Sequence, residues 1–452
     1  MRKRRLRVST THIILLSFLI AILIGAVLLS FPMGSADGKA KSFLDALFTA
    51  TTSICVTGLV VVPTVTSWSF FGQVVILILI QIGGLGVITI MSGLMIILHK
   101  KMGIGDRLLL QDAFNLNSLS GLVRFVKKVV AGTVVIEGVG ALLYMTVFIP
   151  QFGAKGIWIS IFTSVSAFCN AGIDIIAENS LCDYALNPII NLVTCALIIL
   201  GGIGYIVWWD VLRVLRERRT KKVKLFRDLT LHSKIAITTT FVLILAGAAL
   251  VFIFEYNNPH TLSNYPLLQK VEVALFQSVT TRTAGFATVP QENLTNASAV
   301  VCLLLMFIGG SPVGTAGGIK TVTFTVIILA ALASIRNKED TEVFGRQLTK
   351  QAVGKAVAVT CMSFIIVFVS TVLLSAVTDA NALDIVYETV SATATVGLTR
   401  NLTTSLGSVG KIIIIITMYF GRVGPISLAV AFKRNKDNQN IVKNPIEEIS
   451  VG

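Results

Sequence analysis

The chain has 452 residues, of which 54% are apolar and 13% charged, with a formal net charge of +15. Soluble domains carry about 25% charged residues. The composition therefore excludes a disordered chain, argues against a soluble enzyme and points to an integral membrane protein.

Runs of about 20 apolar residues can cross a bilayer. In chain order they fall at 12–31, 69–98, 125–149, 186–209, 233–256, 298–333, 352–378 and 410–432, giving eight predicted spans. The first follows the basic stretch Arg2 to Arg7. Its apolar core, Ile13 to Phe31, is too long for a signal peptide, so it is read as a retained helix. Of the 38 Lys and Arg, 29 lie at the N-terminus, in 99–128, 210–234 and 334–355, and in the tail from Lys433. These five places net +18 and the rest of the chain nets −3. Basic loops face the cytoplasm, so both termini are expected inside a cell (plasma) membrane. The charge reports topology. Membrane lipid or an acidic partner is its expected contact, and nucleic acid is not. The six cysteines form no C-x-x-C pair, which indicates neither a zinc site nor a disulfide framework.

Between the spans of each pair lies a segment too short to cross: 42–59, 156–173, 267–286 and 382–398. They contain LFTATTSICVTGL, IFTSVSAFCNAGI, ALFQSVTTRTAGF and VYETVSATATVGL. Each is rich in Ser and Thr, then reaches a glycine: Gly58, Gly172, Gly285 and Gly397, spaced by 114, 113 and 112 residues. A glycine patch follows in the next span, at Gly83-Gly84, Gly201-Gly202, Gly309-Gly310 and Gly421. The expected fold is all-α and integral to the membrane. Four span–pore-loop–span repeats occupy 1–98, 99–209, 210–333 and 334–432, followed by a cytoplasmic tail at 433–452. Each repeat starts and ends inside, so the four are parallel around one axis, unlike the inverted repeats of many carriers.

Four half-helices entering from one side aim their carbonyl ends at that axis, where the helix dipole favours a cation. A turn beyond each can offer carbonyl oxygens in place of a cation's water. Glycine suits such a turn because it accepts positive φ and lets backbones approach closely. For a single glycine, tight helix packing is the plainer account; four in register favour an ion filter.

At these residues the chain resembles the Trk/Ktr/HKT superfamily of potassium and sodium transporters, and within it the Ktr-type membrane subunits. The matching stretches are Cys55-Val56-Thr57-Gly58-Leu59, Asn170-Ala171-Gly172, Thr281-Arg282-Thr283-Ala284-Gly285-Phe286 and Thr395-Val396-Gly397-Leu398-Thr399. The resemblance implies K⁺ uptake through a filter built from Val56, Thr57 and Gly58, Asn170, Ala171 and Gly172, Thr283, Ala284 and Gly285, and Thr395, Val396 and Gly397. K⁺ would bind at the carbonyls near the four glycines. In the family, serine at the first filter glycine accompanies sodium transport, so Gly58 favours potassium. A homodimer is implied, with one pore per chain, beside a cytoplasmic ring of RCK-type (KtrA-like) subunits. Regulatory nucleotide is expected only on that ring, and no cofactor on this chain.

The sixth span is interrupted by Gly309, Gly310, Ser311, Pro312, Val313, Gly314, Thr315, Ala316, Gly317 and Gly318, and Lys320 ends the segment. Proline and glycines do not sit in a lipid-facing helix. The family has a gating loop there, with a matching arginine beneath it; Arg422, a deep charge in the last span, is that arginine's counterpart. Arg282 would repel cations if it faced the path. It is expected behind the filter, bracing it, with Glu388 as its candidate partner. Asp174 and Glu178 follow the second filter turn, either enriching cations at the mouth or as ordinary loop charges. Gly83-Gly84-Leu85-Gly86 and Gly201-Gly202-Ile203-Gly204 lie in apolar runs, where close helix packing is a better reading than a nucleotide loop. The competing classes are a sodium or mixed Na⁺/K⁺ transporter, an alternating-access carrier and an intramembrane enzyme. The enzyme would need paired carboxylates or a nucleophile constellation at depth; the deep ionisable residues are Glu137, Arg282, Lys320 and Arg422.

Overall fold

Five of the described helices start at side-chain caps, and six stop at a residue with positive φ. The computed structural model describes residues 10–87, 89, 90, 92, 95, 121–218, 226–338 and 340–424. The basic N-terminus, most of 99–128 and the tail 433–452 lie outside the described residues. The first unit contains α1 (Thr10–Ser30), α2 (Phe43–Cys55) and α3 (Phe70–Leu85). The second contains α4 (Leu122–Phe152), α5 (Lys155–Cys169), α6 (Pro188–Gly202) and α7 (Tyr205–Arg218). The third contains α8 (Leu231–Glu255), α9 (Leu267–Thr280), α10 (Asn296–Phe307) and α11 (Thr321–Ile335). The fourth contains α12 (Lys350–Ser375), α13 (Ala382–Ala394) and α14 (Ser408–Val423). Ser69, Asn187, Thr230, Thr295 and Thr349 accept backbone N–H bonds at the starts of α3, α6, α8, α10 and α12, satisfying donors that a helix start leaves free.

Among the described residues, four helices are long and apolar enough to cross a bilayer: His12–Ser30, Leu122–Phe152, Leu231–Glu255 and Lys350–Ser375. They are the first span of each predicted pair. The second spans are shorter than their apolar runs. α3 stops before Gly86 and α14 before Gly424, while α6 and α7 meet beside Gly204 at 97°. These three glycines have φ of 85°, 92° and 92° and each closes a G-x-x-G. Apolarity does not register such a break, because backbone φ sets it. The sixth run is two helices, α10 and α11, joined by an irregular segment, as its composition predicts. The all-helical expectation misses one hairpin: β1 (Glu342–Val343) pairs antiparallel with β2 (Arg346–Gln347). Phe344 and Gly345 turn it with positive φ.

Packing places polar residues inside. The long helices turn Val134, Leu142, Phe241, Ile253, Phe364 and Phe368 outward, as lipid-facing surfaces require. α2 is buried without interruption from Phe48 to Cys55. The second helix of each unit also packs on the next unit's half-helix: α3 on α5, α6 on α9 and α10 on α13. α14 returns to α2 and completes the circle. Within three of the units, glycine lets that second helix approach its own half-helix: a Cβ at Gly83, Gly201 or Gly421 would overlap the carbonyl oxygen of Ile54, Phe168 or Thr393. Each of these carbonyls belongs to the penultimate residue of a half-helix.

Candidate functional site

Three half-helices end at a left-handed residue, and in the third copy the left-handed residue comes shortly after the helix end. Val56, Asn170, Thr283 and Thr395 have φ of 54°, 58°, 70° and 52°. Asparagine adopts this region readily, but for Val and Thr it is a strained conformation, of the kind that collects at functional sites. In three copies the next backbone N–H bonds five residues back: Thr57 to Thr52, Ala171 to Ser166 and Val396 to Ser391, each at 2.8 Å. The same Ser and Thr side chains then hold the exit. Thr52 Oγ1 accepts from Gly58 N at 2.9 Å, Ser391 Oγ from Gly397 N at 3.0 Å and Ser166 Oγ from Ile173 N at 3.1 Å. In the third copy the helix stops earlier, and Thr280 Oγ1 donates to Phe286 O at 2.6 Å. These four hydroxyls are absent from the sequence-derived site. Their signal was present, as a Ser or Thr six residues before three of the four glycines.

The four glycines form a closed ring. All have positive φ, between 62° and 97°. A Cβ at Gly58 would overlap Ala171 O, at Gly172 Ala284 O, at Gly285 Val396 O and at Gly397 Thr57 O. Each turn therefore abuts the backbone of the next, and the fourth abuts the first. No side chain fits at any of the four without displacing a neighbouring carbonyl.

Outside the ring lies a cavity of about 310 Å³ that all four glycines line. Asp174, Glu178 and Glu292 also line it, and among its lining residues there is no Lys, Arg or His. Burial raises the Asp174 carboxyl to about 6. Glu388, fully buried on α13, accepts from Thr399 Oγ1 at 2.6 Å and Thr403 Oγ1 at 2.5 Å. It thereby ties α13 to the chain just beyond the fourth turn.

Inside the ring lies the segment 308–320. Gly317 N donates to Thr283 Oγ1 at 3.1 Å, and a Cβ there would overlap Thr395 Oγ1 and Ala394 O. The segment thus sits directly beneath the third and fourth turns. Its small residues do not leave it loose. Ser311 N and Thr315 N donate to Gly202 O and Gly201 O at 2.8 and 3.1 Å, and Tyr205 N donates to Val313 O at 2.8 Å. Gly309 and Ile319 pair with each other and with Phe307 as a short bridge. Thr315 Oγ1 donates to Phe168 O at 3.0 Å. Lys320 Nζ turns back to Ala316 O at 2.6 Å and Gly317 O at 3.4 Å. Arg422 reaches the segment from α14: Nη1 donates to Thr315 O at 2.7 Å and Nη2 to Gly83 O. One guanidinium thus joins the segment, the end of α3 and α14.

The expected pairing of Arg282 with Glu388 is not made. Arg282 Nη2 donates to Gly309 O at 3.2 Å and to Thr240 Oγ1 at 3.4 Å, and Nη1 to Thr240 O at 3.4 Å. It sits behind the third turn, between α8 and the segment, and its two Nη atoms meet carbonyl and hydroxyl acceptors where a carboxylate was expected. Glu388 serves the fourth turn separately.

Comparison with known proteins shows the family. A family described as TrkH, cation transport protein, matches residues 2–444. The chain is 40% identical over 447 residues to the Ktr system potassium uptake protein B of Bacillus subtilis, covering 99% of this chain and 97% of that protein. It is 38% identical over 460 residues to the potassium/sodium uptake protein NtpJ of Enterococcus hirae, covering 100% and 99%. The crystal structure of the potassium transporter TrkH from Vibrio parahaemolyticus superposes with a TM-score of 0.75 at 16% identity, over 96% of this chain and 87% of that one. The chain belongs to the TrkH family of cation transport proteins, membrane transporters and not enzymes.

Proposed function

We propose that the chain is the ion-translocating subunit of a Ktr-type potassium uptake system in the cell membrane. Its eight spans and four half-helices form four parallel repeats around one pore, with both termini cytoplasmic. The four glycine turns are the selectivity filter, and the segment from Gly309 to Lys320, held by Arg422, is the gate. The observation that carries this reading is the closed ring of Gly58, Gly172, Gly285 and Gly397, each against a carbonyl of the next turn. A ring of carbonyls replaces a cation's hydration shell. One glycine layer provides fewer such rings than a TVGYG filter, so discrimination against Na⁺ is modest. A second reading, mixed K⁺ and Na⁺ transport, is favoured by the name of the Enterococcus relative. Rb⁺ and Na⁺ uptake by cells lacking other potassium uptake separates the two: Rb⁺ preference supports the first and equal rates the second. The chain acts as a homodimer beside a cytoplasmic RCK-type ring that carries the regulatory nucleotide. The Ktr system name of its Bacillus relative supports such a partnership.

The acidic outer cavity makes uptake sensitive to external pH. Asp174 titrates near 6 because burial disfavours its charge. Above that pH the carboxylate is ionised and concentrates cations at the mouth. As external pH falls through about 6 it is neutralised and that attraction is lost. The apparent KM for Rb⁺ is expected to rise between pH 7 and pH 5 with little change in maximal rate. Asp174→Asn should show the high KM at both pH values. A variant that keeps the wild-type pH profile would place the titration elsewhere.

A further inference from the structure

Glu137 lies midway along α4, 8% exposed, and none of the contacts described so far uses it. A carboxylate at membrane depth is costly and is retained for a task. Its surroundings define one. Gln81 of α3 donates Nε2 to Glu137 Oε2 at 3.1 Å. Cys169 Sγ lies 3.8 Å from Glu137 Oε1 and 3.5 Å from Gln81 Oε1, so its proton has both as acceptors. Ser164 Oγ, also on α5, donates to the Glu137 carbonyl at 2.7 Å. Gly84 leaves no slack, because a Cβ there would strike Cys169 Sγ.

Cys169 is the last residue of α5, and Asn170 after it opens the second turn. Phe168, one residue earlier, gives its carbonyl to Thr315 of the inner segment. The Thr315 carbonyl in turn receives Arg422. The end of α5 is therefore where the turn, the segment and the Glu137 cluster meet. We propose that Glu137 is a positioning residue for ion discrimination: through Cys169 and Gln81 it fixes the end of α5, and with it the second turn of the ring. Glu137 does not touch the ion. It anchors the half-helix whose penultimate carbonyl accepts from Thr315 of the inner segment. The inference rests on the filter reading above.

The test is the ratio of Rb⁺ to Na⁺ uptake per membrane-inserted protein in E137A, E137Q, C169A and the E137A/C169A double variant, with G58S as control. E137A leaves Gln81 and Cys169 without their acceptor, and the ratio is expected to fall at least about threefold, as for coupled neighbours. C169A removes the link and should produce a similar fall. The double variant should be no worse than either single one, because all three break one linkage. E137Q keeps an acceptor oxygen and should retain most of the ratio, a rescue that loss of packing volume alone does not predict. If E137A does not reach the membrane, C169A decides. A wild-type ratio in C169A, or additive losses in the double variant, overturns the inference. G58S separates the two failures. If it lowers the ratio while E137A and C169A do not, only the role of Glu137 fails. If G58S also leaves the ratio unchanged, the filter reading fails.

Discussion

Rb⁺ uptake by a Gly397→Asp variant is expected to fall below about a tenth of the wild-type rate, because a fixed charge beside a filter site holds or blocks the ion that must leave it. Two effects act together. Gly397 has φ of 97°, where an L residue is strained by about 1–3 kcal/mol. Its Cβ would also overlap Thr57 O and crowd Gly58 across the ring. Gly172→Asp should behave alike, since its Cβ meets Ala284 O and Gly285. Gly58→Ser is the milder form. Its Cβ meets Ala171 O, so one of four carbonyls shifts and no charge is added. Uptake should persist while the preference for Rb⁺ over Na⁺ drops by about tenfold, the equivalent of 1.4 kcal/mol. Rb⁺ and Na⁺ uptake at matched expression measures both. Wild-type rates in Gly397→Asp would remove the ring from the ion path.

Changing Arg422 to Ala should have the opposite sign. The guanidinium donates to Thr315 O and Gly83 O, and bonds from a charged donor are worth about 1.5–3 kcal/mol each. Without them the segment keeps its backbone bonds to Gly201, Gly202 and Tyr205 but loses its tie to α14 and α3. Deleting residues within 310–317 removes the segment from beneath Thr283 and Thr395 altogether. Both variants are expected to raise K⁺ flux several-fold without abolishing selectivity, because the ring residues are unchanged, and to make flux less dependent on the regulatory ring. Flux into liposomes loaded with the purified variants measures this. Flux at or below wild type in both, with normal folding, would leave the segment as a structural kink.

The ring was legible because its signal is a period. Four glycines at intervals of 112 to 114 residues, each after a Ser/Thr-rich stretch, require no knowledge of side-chain geometry. Arg422 was legible for a similar reason, as a charge at a depth where charge is costly. The breaks at Gly86, Gly204 and Gly424 were not. A glycine in an apolar run reads as close packing, and in G-x-x-G the first glycine does pack while the last turns the chain. The roles of Thr52, Ser166 and Ser391 depend on the left-handed residue between each of them and its acceptor site, which composition does not reveal. The pairing of Arg282 with Glu388 followed from charge complementarity. It failed because each group meets its own backbone carbonyls or threonine hydroxyls, which a count of charges does not register.

If one chain folds four glycine turns into a single cation site, the ion must rest at those turns. Anomalous scattering from crystals of the protein soaked in Rb⁺ tests this most directly. Rb⁺ density is expected on the axis enclosed by Gly58, Gly172, Gly285 and Gly397. Rb⁺ bound elsewhere in the membrane region with none at the ring would contradict it.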